Sequence, residues 1–426
     1  MKWPEFNLAS MIKGLESGSR PHGGASLESE GLPSLGAEHI GKDGQPYLKK
    51  TKYIPTKFYE SLKQGKIFKN DILVVKDGAT TGKVAFVDKS FPFEKAAVNE
   101  HVFIVRVNPN MLISKFAFYW LYSKNGKRQI LIDFRGSAQG GITKDFVRFI
   151  KLPTPPLSEQ IRIVEILDQA DALRKKRAET DAKYERIITS LFYKMFGDPA
   201  TNPMGWSTNR LACNGTLVRY GLGQPPQTTS SGVPLIRATN IKRGMIKEAD
   251  MMFVKPEDIP ESRNAFLSSN EVIVVRSGAY TGDVAQVKQK WEGAVAGYDL
   301  VVTPGDKTCG EFIETYLLTP YIQKNYFYNL KTRAGQPHLN ATQLSDTPTL
   351  QPPKSLQIRF ANYLKNIRLM TVNTASCKQI LDHLYSVLLQ NAFSSNLTAK
   401  WRKAHMKELL KEMEEQAKYL QEAKAS

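Results

Sequence analysis

The sequence predicts an α+β protein in which two sheet-rich globules, related as a pseudo-twofold repeat, are separated by two long antiparallel coiled-coil helices. Three observations carry this expectation. Blocks of sequence recur at an offset of about 200 residues. Each copy passes, behind a Pro-Pro pair, from short β-type runs into a long helical stripe. The chain of 426 residues also exceeds what one hydrophobic core usually serves.

The repeat is read from blocks that keep their order. Asn70 to Val87 (NDILVVKDGATTGKVAFV) returns at Asn270 to Val287 (NEVIVVRSGAYTGDVAQV), and Leu32 to Ile40 (LPSLGAEHI) returns at Val233 to Ile241 (VPLIRATNI). Pro155 to Ile163 (PPLSEQIRI) matches Pro352 to Phe360 (PPKSLQIRF), and Trp3 and Trp206 stand near the start of the two copies. Within each globule, runs such as Ile72 to Val75, Val102 to Val107, Val272 to Val275 and Leu300 to Val302 predict strands bounded by Gly, Pro and Asn turns, with a helix at Ser114 to Ser123.

The helices follow the Pro pairs. Apolar residues recur at spacings of three and four at Ile163, Ile166, Ala170 and Leu173, then at Tyr184, Ile187 and Leu191, with Arg177 and Thr180 interrupting. The second copy supplies Phe360, Tyr363, Ile367, Met370, Thr374, Cys377, Leu381, Leu384 and Leu388. Two stripes in the same register meet the requirement of a coiled-coil seam. Packing inside an ordinary bundle is the competing reading. Against it, each helix would run for about 39 residues, roughly 58 Å, a length suited to a spacer. Ser158 is expected to cap the first helix behind its Pro pair. The Gly197-Asp198-Pro199 run should end that helix.

Composition narrows the function. A formal charge of +18 attracts a polyanion, either nucleic acid or an acidic membrane surface. No apolar run of about 18 residues and no signal-peptide layout occur, so a cytoplasmic protein without membrane attachment is expected. Cys213, Cys309 and Cys377 lack the paired spacing of a zinc site or disulfide framework, and the 6 histidines lack metal spacing. Gly78 to Val84 resembles a phosphate loop only superficially: it is one residue short between its glycines, lacks Ser or Thr after Lys83, and carries Asp283 at the repeated position. A spaced-glycine dinucleotide fingerprint, an aromatic-ended N-P-P segment and HExxH are also missing. No catalytic residue, metal or cofactor is therefore expected.

Charge separates the copies. Residues 1–154 hold 24 Lys and Arg against 14 Asp and Glu, whereas residues 199–352 hold 15 against 13. The helical segments 155–198 and 353–396 hold 8 against 8 and 5 against 1. Two globules with one scaffold and different surfaces suit an asymmetric, bipartite DNA target, with basic side chains on phosphates and Arg, Asn, Gln or His at base edges. The candidate contacts lie in recurring loops, where glycines let backbone approach a ligand. In the first copy they are Arg20, His22, His39, Lys49, Lys50, Lys76, Thr80, Thr81, Lys83, Arg135, Gln139 and Lys144. In the second they are Gln224, Arg237, Asn240, Lys242, Arg243, Arg276, Tyr280, Arg333, Gln336, His338 and Asn340. The alternative is a basic protein-interaction scaffold that binds nucleic acid without sequence specificity.

The segments LPSLGAEHI, NDILVVKDGATTGKVAFV, VNEHVFI, GSAQGGI and PPLSEQIRIV resemble those of the specificity (S) subunits of type I restriction-modification systems, as does Leu397 to Arg402 (LTAKWR). The resemblance spans essentially the whole chain. It implies target-recognition domains at 1–154 and 199–352 and spacer helices at 155–198 and 353–396, and beyond that pattern the sequence adds a helical extension at 397–426. It further implies a non-catalytic subunit whose recognition domains each read half of a split, non-palindromic double-stranded DNA site. The paired helices would fix the unspecified interval and dock two methyltransferase (M) subunits, which bind S-adenosylmethionine and methylate adenine. Restriction (R) subunits, which hydrolyse ATP and cleave, would complete the enzyme.

Two features depart from that pattern. Ala399 to Ala425 is a charged segment with Leu409, Leu410, Met413, Ala417 and Leu420 at helical spacing, which either clasps a partner subunit or the coil or remains a solvated tail. The second copy also has QPHLN at 336–340 where the first has QGGIT, so the two final loops need not make equivalent contacts.

Overall fold

The computed structural model describes residues 3–27, 30–136, 140–224, 226–328 and 338–425. It mixes helix and sheet in two compact units, one formed by residues 1–176 with 378–426 and the other by residues 177–377.

The first unit contains strands β1 (Glu5–Asn7), β2 (Ile12–Ser17), β3 (Leu32–Leu35), β4 (Lys52–Ile54), β5 (Ile72–Val75), β6 (Val84–Phe86), β7 (Ala97–Val98), β8 (Val102–Val107) and β9 (Lys151–Pro153). An antiparallel sheet in the order β2-β8-β5-β6 adjoins a three-stranded sheet in the order β4-β3-β7, and β1 pairs with β9. Helices α1 (Thr56–Ser61), α2 (Ser114–Tyr122), α3 (Lys124–Ile130) and α4 (Phe146–Phe149) complete the globule. The unbroken apolar run of β5 follows from burial on both faces. Ile72 and Val74 pack in a core with Phe116, Phe118 and Phe146, while Leu73 and Val75 pack in another with Leu35, Val98 and Ile104. Each such side chain contributes about 1.5–3 kcal/mol on full burial.

After α5 (Leu157–Phe196), the second unit repeats the plan with β10 (Thr208–Arg210), β11 (Leu217–Tyr220), β12 (Val233–Ile236), β13 (Ile241–Lys242), β14 (Met245–Ile246), β15 (Met252–Val254), β16 (Val272–Val274), β17 (Val284–Gln286), β18 (Val295–Ala296), β19 (Leu300–Thr303) and β20 (Pro348–Leu350). Its sheets run β11-β19-β16-β17 and β15-β12-β18, with β10 paired to β20. The β13-β14 hairpin has no counterpart among the described strands of the first unit. The same alternation recurs: Val272 and Val274 face Phe312 and Tyr316 of α6 (Gly310–Leu317), whereas Ile273 joins Ile236 and Val301. A short helix, α7 (Ala341–Ser345), precedes β20, and α8 (Lys354–Ala392) follows it.

Each long helix divides between the units, because each half packs on a globule. In the first unit Ile163, Leu167 and Ala170 of α5 share a core with Tyr385 and Ala392 of α8. Arg174 donates to Asp382 at 2.9 Å and lies 4.2 Å from the Tyr385 ring. In the second unit Phe192 and Phe196 pack on Phe360, with ring centroids 5.6 and 5.3 Å apart. Gly197 closes α5 with φ +81°, a left-handed conformation that favours glycine, and its N–H donates to the Tyr193 carbonyl.

The expected seam needs correction. Ile163, Ala170 and Phe360 are buried, and Ile166, Tyr184, Leu191, Ile367, Leu381 and Leu388 are half-buried. Leu173, Ile187, Tyr363, Met370 and Leu384 are exposed. The buried line runs instead through Leu167, Phe192, Phe196, Leu364 and Tyr385. Packing on the globules broadens each apolar stripe and rotates its buried centre away from a strict heptad line. Ser158 is also not the cap: it lies inside α5, and its N–H donates to Glu412 Oε2 at 3.0 Å.

That bond belongs to the C-terminal segment, α9 (Ala399–Ala404) and α10 (Met406–Ala425). Glu159, fully buried, accepts from Trp3 Nε1 at 3.1 Å, from Arg402 Nε at 2.8 Å and from the Thr398 hydroxyl. Leu409 is buried, and Gln416 Nε2 reaches the Met111 carbonyl at 3.4 Å. The extension therefore clasps the start of α5 within its own unit. No helix of the described residues is long and apolar enough to cross a membrane.

Candidate nucleic-acid interface

In each unit the turn after the central strand of the larger sheet gathers charged and aromatic side chains. The first unit's turn, Lys76 to Lys83, has Gly78 and Gly82 at φ +84° and +78°, and Thr81 Oγ1 donates to the Gly78 carbonyl at 2.6 Å. Lys76 Nζ stands 5.9 Å from the Phe103 ring, and its carbonyl accepts the Ile142 N–H. Asp77 bridges to Gly141, which also bridges to Arg135. Arg135 donates to Asp133 at 2.9 Å. Burial raises the affinity of Asp133 for its proton, but the Thr143 hydroxyl and N–H and the Arg135 charge outweigh it and hold the carboxyl below its ordinary range. A chain of polar contacts extends onward: His101 Nδ1 lies 2.6 Å from Asp77, His101 Nε2 lies 3.4 Å from Glu100, and Arg20 Nε lies 2.7 Å from the same carboxylate. Arg20, Lys76 and Arg135, from three separate loops, thus come together. His22, Lys49, Lys50 and Lys144 are exposed, and Thr80 and Lys83 are half-buried. Lys83 lines a cavity of about 600 Å³ with Lys42, Lys124, Lys127 and Arg174.

The second unit places different chemistry on the same frame. Arg276 Cζ lies 4.2 Å from the Tyr298 ring and 4.8 Å from the Tyr220 ring, and Arg276 Nη2 lies 3.0 Å from His338 Nε2. Burial and the Arg276 charge lower the His338 pKa, which favours the neutral imidazole that accepts this bond. Beneath them, Asp299 Oδ1 accepts the Arg276 N–H at 3.2 Å. Burial pushes the Asp299 carboxyl up to about 6, despite the opposing N–H and guanidinium of Arg276. Tyr280 and Gln224 are exposed, as are Lys242 and Arg243 on the β13-β14 hairpin. Arg243 lines a cavity of about 400 Å³ with Asp283, Lys324 and Arg368.

Several expected contacts have other occupations. His39 is buried: its Nδ1 accepts the Gly36 N–H at 2.9 Å, and its Nε2 lies 3.3 Å from the Lys50 carbonyl. Asn240 is buried at the equivalent turn, accepting from Arg237 N–H and donating to the Lys247 and Ala249 carbonyls. Both side chains satisfy backbone groups of a tight turn and leave no polar edge for a ligand. Asn340 caps α7, accepting the Gln343 N–H at 2.8 Å. Arg237 is half-buried and donates to the Asp250 carbonyl at 2.8 Å. Gln139, Arg333 and Gln336 lie outside the described residues.

Sequence reasoning passed over Asp77, Glu100, His101, Tyr220, Tyr298 and Asp299. A signal for four of these existed. Within otherwise matching strand blocks, VNEHV at 98–102 stands against AGYDL at 296–300, so Glu100-His101 and Tyr298-Asp299 occupy equivalent places with unlike chemistry.

Residues 2–180 match the type I restriction modification DNA specificity domain. Across 406 residues, covering 88% of this chain and 84% of the relative, the sequence is 22% identical to the type I restriction enzyme EcoKI specificity subunit of Escherichia coli. Across 411 residues, covering 88% of this chain and 84% of the relative, the sequence is also 22% identical to the type I restriction enzyme StySPI specificity subunit of Salmonella potsdam. Its fold resembles the crystal structure of the S subunit from M. genitalium, with a TM-score of 0.58 and 15% identity over 92% of this chain and 96% of that one.

Proposed function

We propose that this chain is a DNA specificity subunit of a type I restriction-modification system and binds a bipartite, asymmetric DNA site, reading one half with residues 1–154 and the other with residues 199–352. In this reading the two globules are a pseudo-twofold pair of target-recognition domains. The halves of α5 and α8 pair as an antiparallel coiled coil that sets the interval between the half-sites. The carrying observation is that equivalent turns on equivalent sheets bear unlike groups: Lys76, His101, Glu100 and Arg20 in one, Arg276, Tyr298, Tyr220 and His338 in the other. Shared scaffolds with divergent contact residues suit two different base sequences.

The contacts assigned to the first half are Arg20, His22, Lys49, Lys50, Lys76, Thr80, Thr81, Lys83, Arg135 and Lys144. Those assigned to the second are Gln224, Lys242, Arg243, Arg276, Tyr280 and His338. The helices also expose Ile161, Leu173, Ile358, Tyr363, Leu369 and Met370, apolar area that supports docking of two methyltransferase subunits, with restriction subunits joining the complete cytoplasmic enzyme.

The test replaces residues 1–154 with the corresponding segment of a specificity subunit of different target and maps modified adenines genome-wide. One half-site should change and the other persist. A change in both halves would refute independent readers.

A further inference from the structure

We propose that Arg276 reads a guanine in the half-site contacted by residues 199–352, presenting its terminal amino groups edge-on to the O6 and N7 acceptors of that base. The proposal rests on the reading of residues 199–352 as a DNA reader and adds the identity of one base class.

The argument begins with how completely Arg276 is held. Its N–H donates to Asp299, and its carbonyl accepts the Leu339 N–H at 2.7 Å, so the backbone is fixed on both sides. Two tyrosine rings pack on the guanidinium. One of them, Tyr220, is itself held by the Ala341 N–H, which donates to its hydroxyl at 3.1 Å. His338 engages Nη2 and sets the direction of the guanidinium plane. Nε is shut away from solvent and has no partner among the described residues. What remains available to a ligand is the terminal amino edge of a clamped, planar donor.

That arrangement favours a base over a phosphate. A phosphate accepts donors from many directions, and a flexible lysine serves it. A guanidinium held in one plane matches the two in-line acceptors that guanine alone shows in the major groove. Tyr220 and Tyr298, both exposed, flank it with their ring faces. The clamp also belongs to this copy: Lys76 and Glu100 occupy the positions of Arg276 and Tyr298 in the first unit. Gly78 and Gly82 persist as Gly278 and Gly282 in the same turn, so the frame is kept while these two side chains differ.

The experiment uses the full chain and duplexes carrying the site mapped by adenine modification. Each guanine of the half-site assigned to residues 199–352 is replaced in turn by 7-deazaguanine, which lacks the N7 acceptor. Wild type should lose about tenfold or more in affinity at one position only. Arg276→Ala should bind the normal duplex more weakly and be indifferent to that replacement. Arg276→Lys, which keeps the cation, should retain affinity for nonspecific duplex while accepting other bases at that position. Equal weakening of Arg276→Ala on target and random duplexes, with a salt dependence shallower by about one charge, would assign Arg276 to a phosphate and overturn the proposal. Wild type indifferent to every replacement would overturn it too, while leaving a mapped bipartite site, and so the broader reading, intact.

Discussion

Asp299 offers a quantitative test of how the second unit is built. Its carboxyl is only 2% exposed, one oxygen accepts the Arg276 N–H, and the other is buried without a partner among the described residues. Burial raises its pKa to about 6 from an ordinary value of 3.8. The folded chain therefore holds this proton more tightly than the unfolded chain. The resulting stabilisation is complete below about pH 4 and disappears as pH rises through about 6. A shift of about two pKa units corresponds to about 3 kcal/mol. Asp299→Asn keeps an oxygen for the Arg276 N–H and removes the charge. Its stability relative to wild type should rise by about 1–3 kcal/mol between pH 4 and pH 7.5. Urea unfolding of both proteins across that range, followed by tryptophan fluorescence, measures the difference. A difference that stays constant with pH, or changes in the opposite direction, would refute the assignment of a strained, buried carboxylate at neutral pH.

Two further expectations concern the clasp and the basic loops. Glu159→Ala leaves the Arg402 guanidinium buried without its carboxylate, which costs about 3–5 kcal/mol. Limited proteolysis should then release α9 and α10 well before the globules are cut, and unchanged resistance would remove the clasp from the account. Replacing Lys49, Lys50 and Lys144 together by Ala should weaken binding to target and random duplexes alike. It should also flatten the plot of log affinity against log salt by about 0.9 for each phosphate that is no longer neutralised. An unaltered slope would exclude those lysines from binding the DNA backbone.

Much of the architecture was legible because it rests on local pattern. The apolar runs at Ile72 to Val75 and Leu300 to Val302 form strands, Ser114 to Tyr122 forms a helix, and two helices of 40 and 39 residues begin behind the Pro pairs. The line of burial along those helices was less legible. Heptad spacing nominated Leu173, Met370 and Leu384, whereas the globules draw Leu167, Phe192, Phe196 and Tyr385 inward. Periodicity gives the width of a stripe, but its buried centre depends on what packs beside it.

The candidate contacts divide in the same way. Arg20, Lys76 and Arg135 converge, yet His39 and Asn240, which suit base edges by chemistry, are consumed in closing two equivalent turns. Residue type shows what a side chain can donate or accept. Only its neighbours determine whether that capacity is already spent.

By itself the sequence determined the repeat, the element types, the basic balance and the family resemblance, because these depend on composition and on the order of residues along the chain. Tertiary structure alone decided that Arg276 lies against Tyr220 and Tyr298, that Glu159 meets Arg402 across 243 positions, and that His39 and Asn240 face inward. Contacts between distant segments depend on sheet pairing and on the competition for buried hydrogen-bond partners, neither of which is written in local spacing.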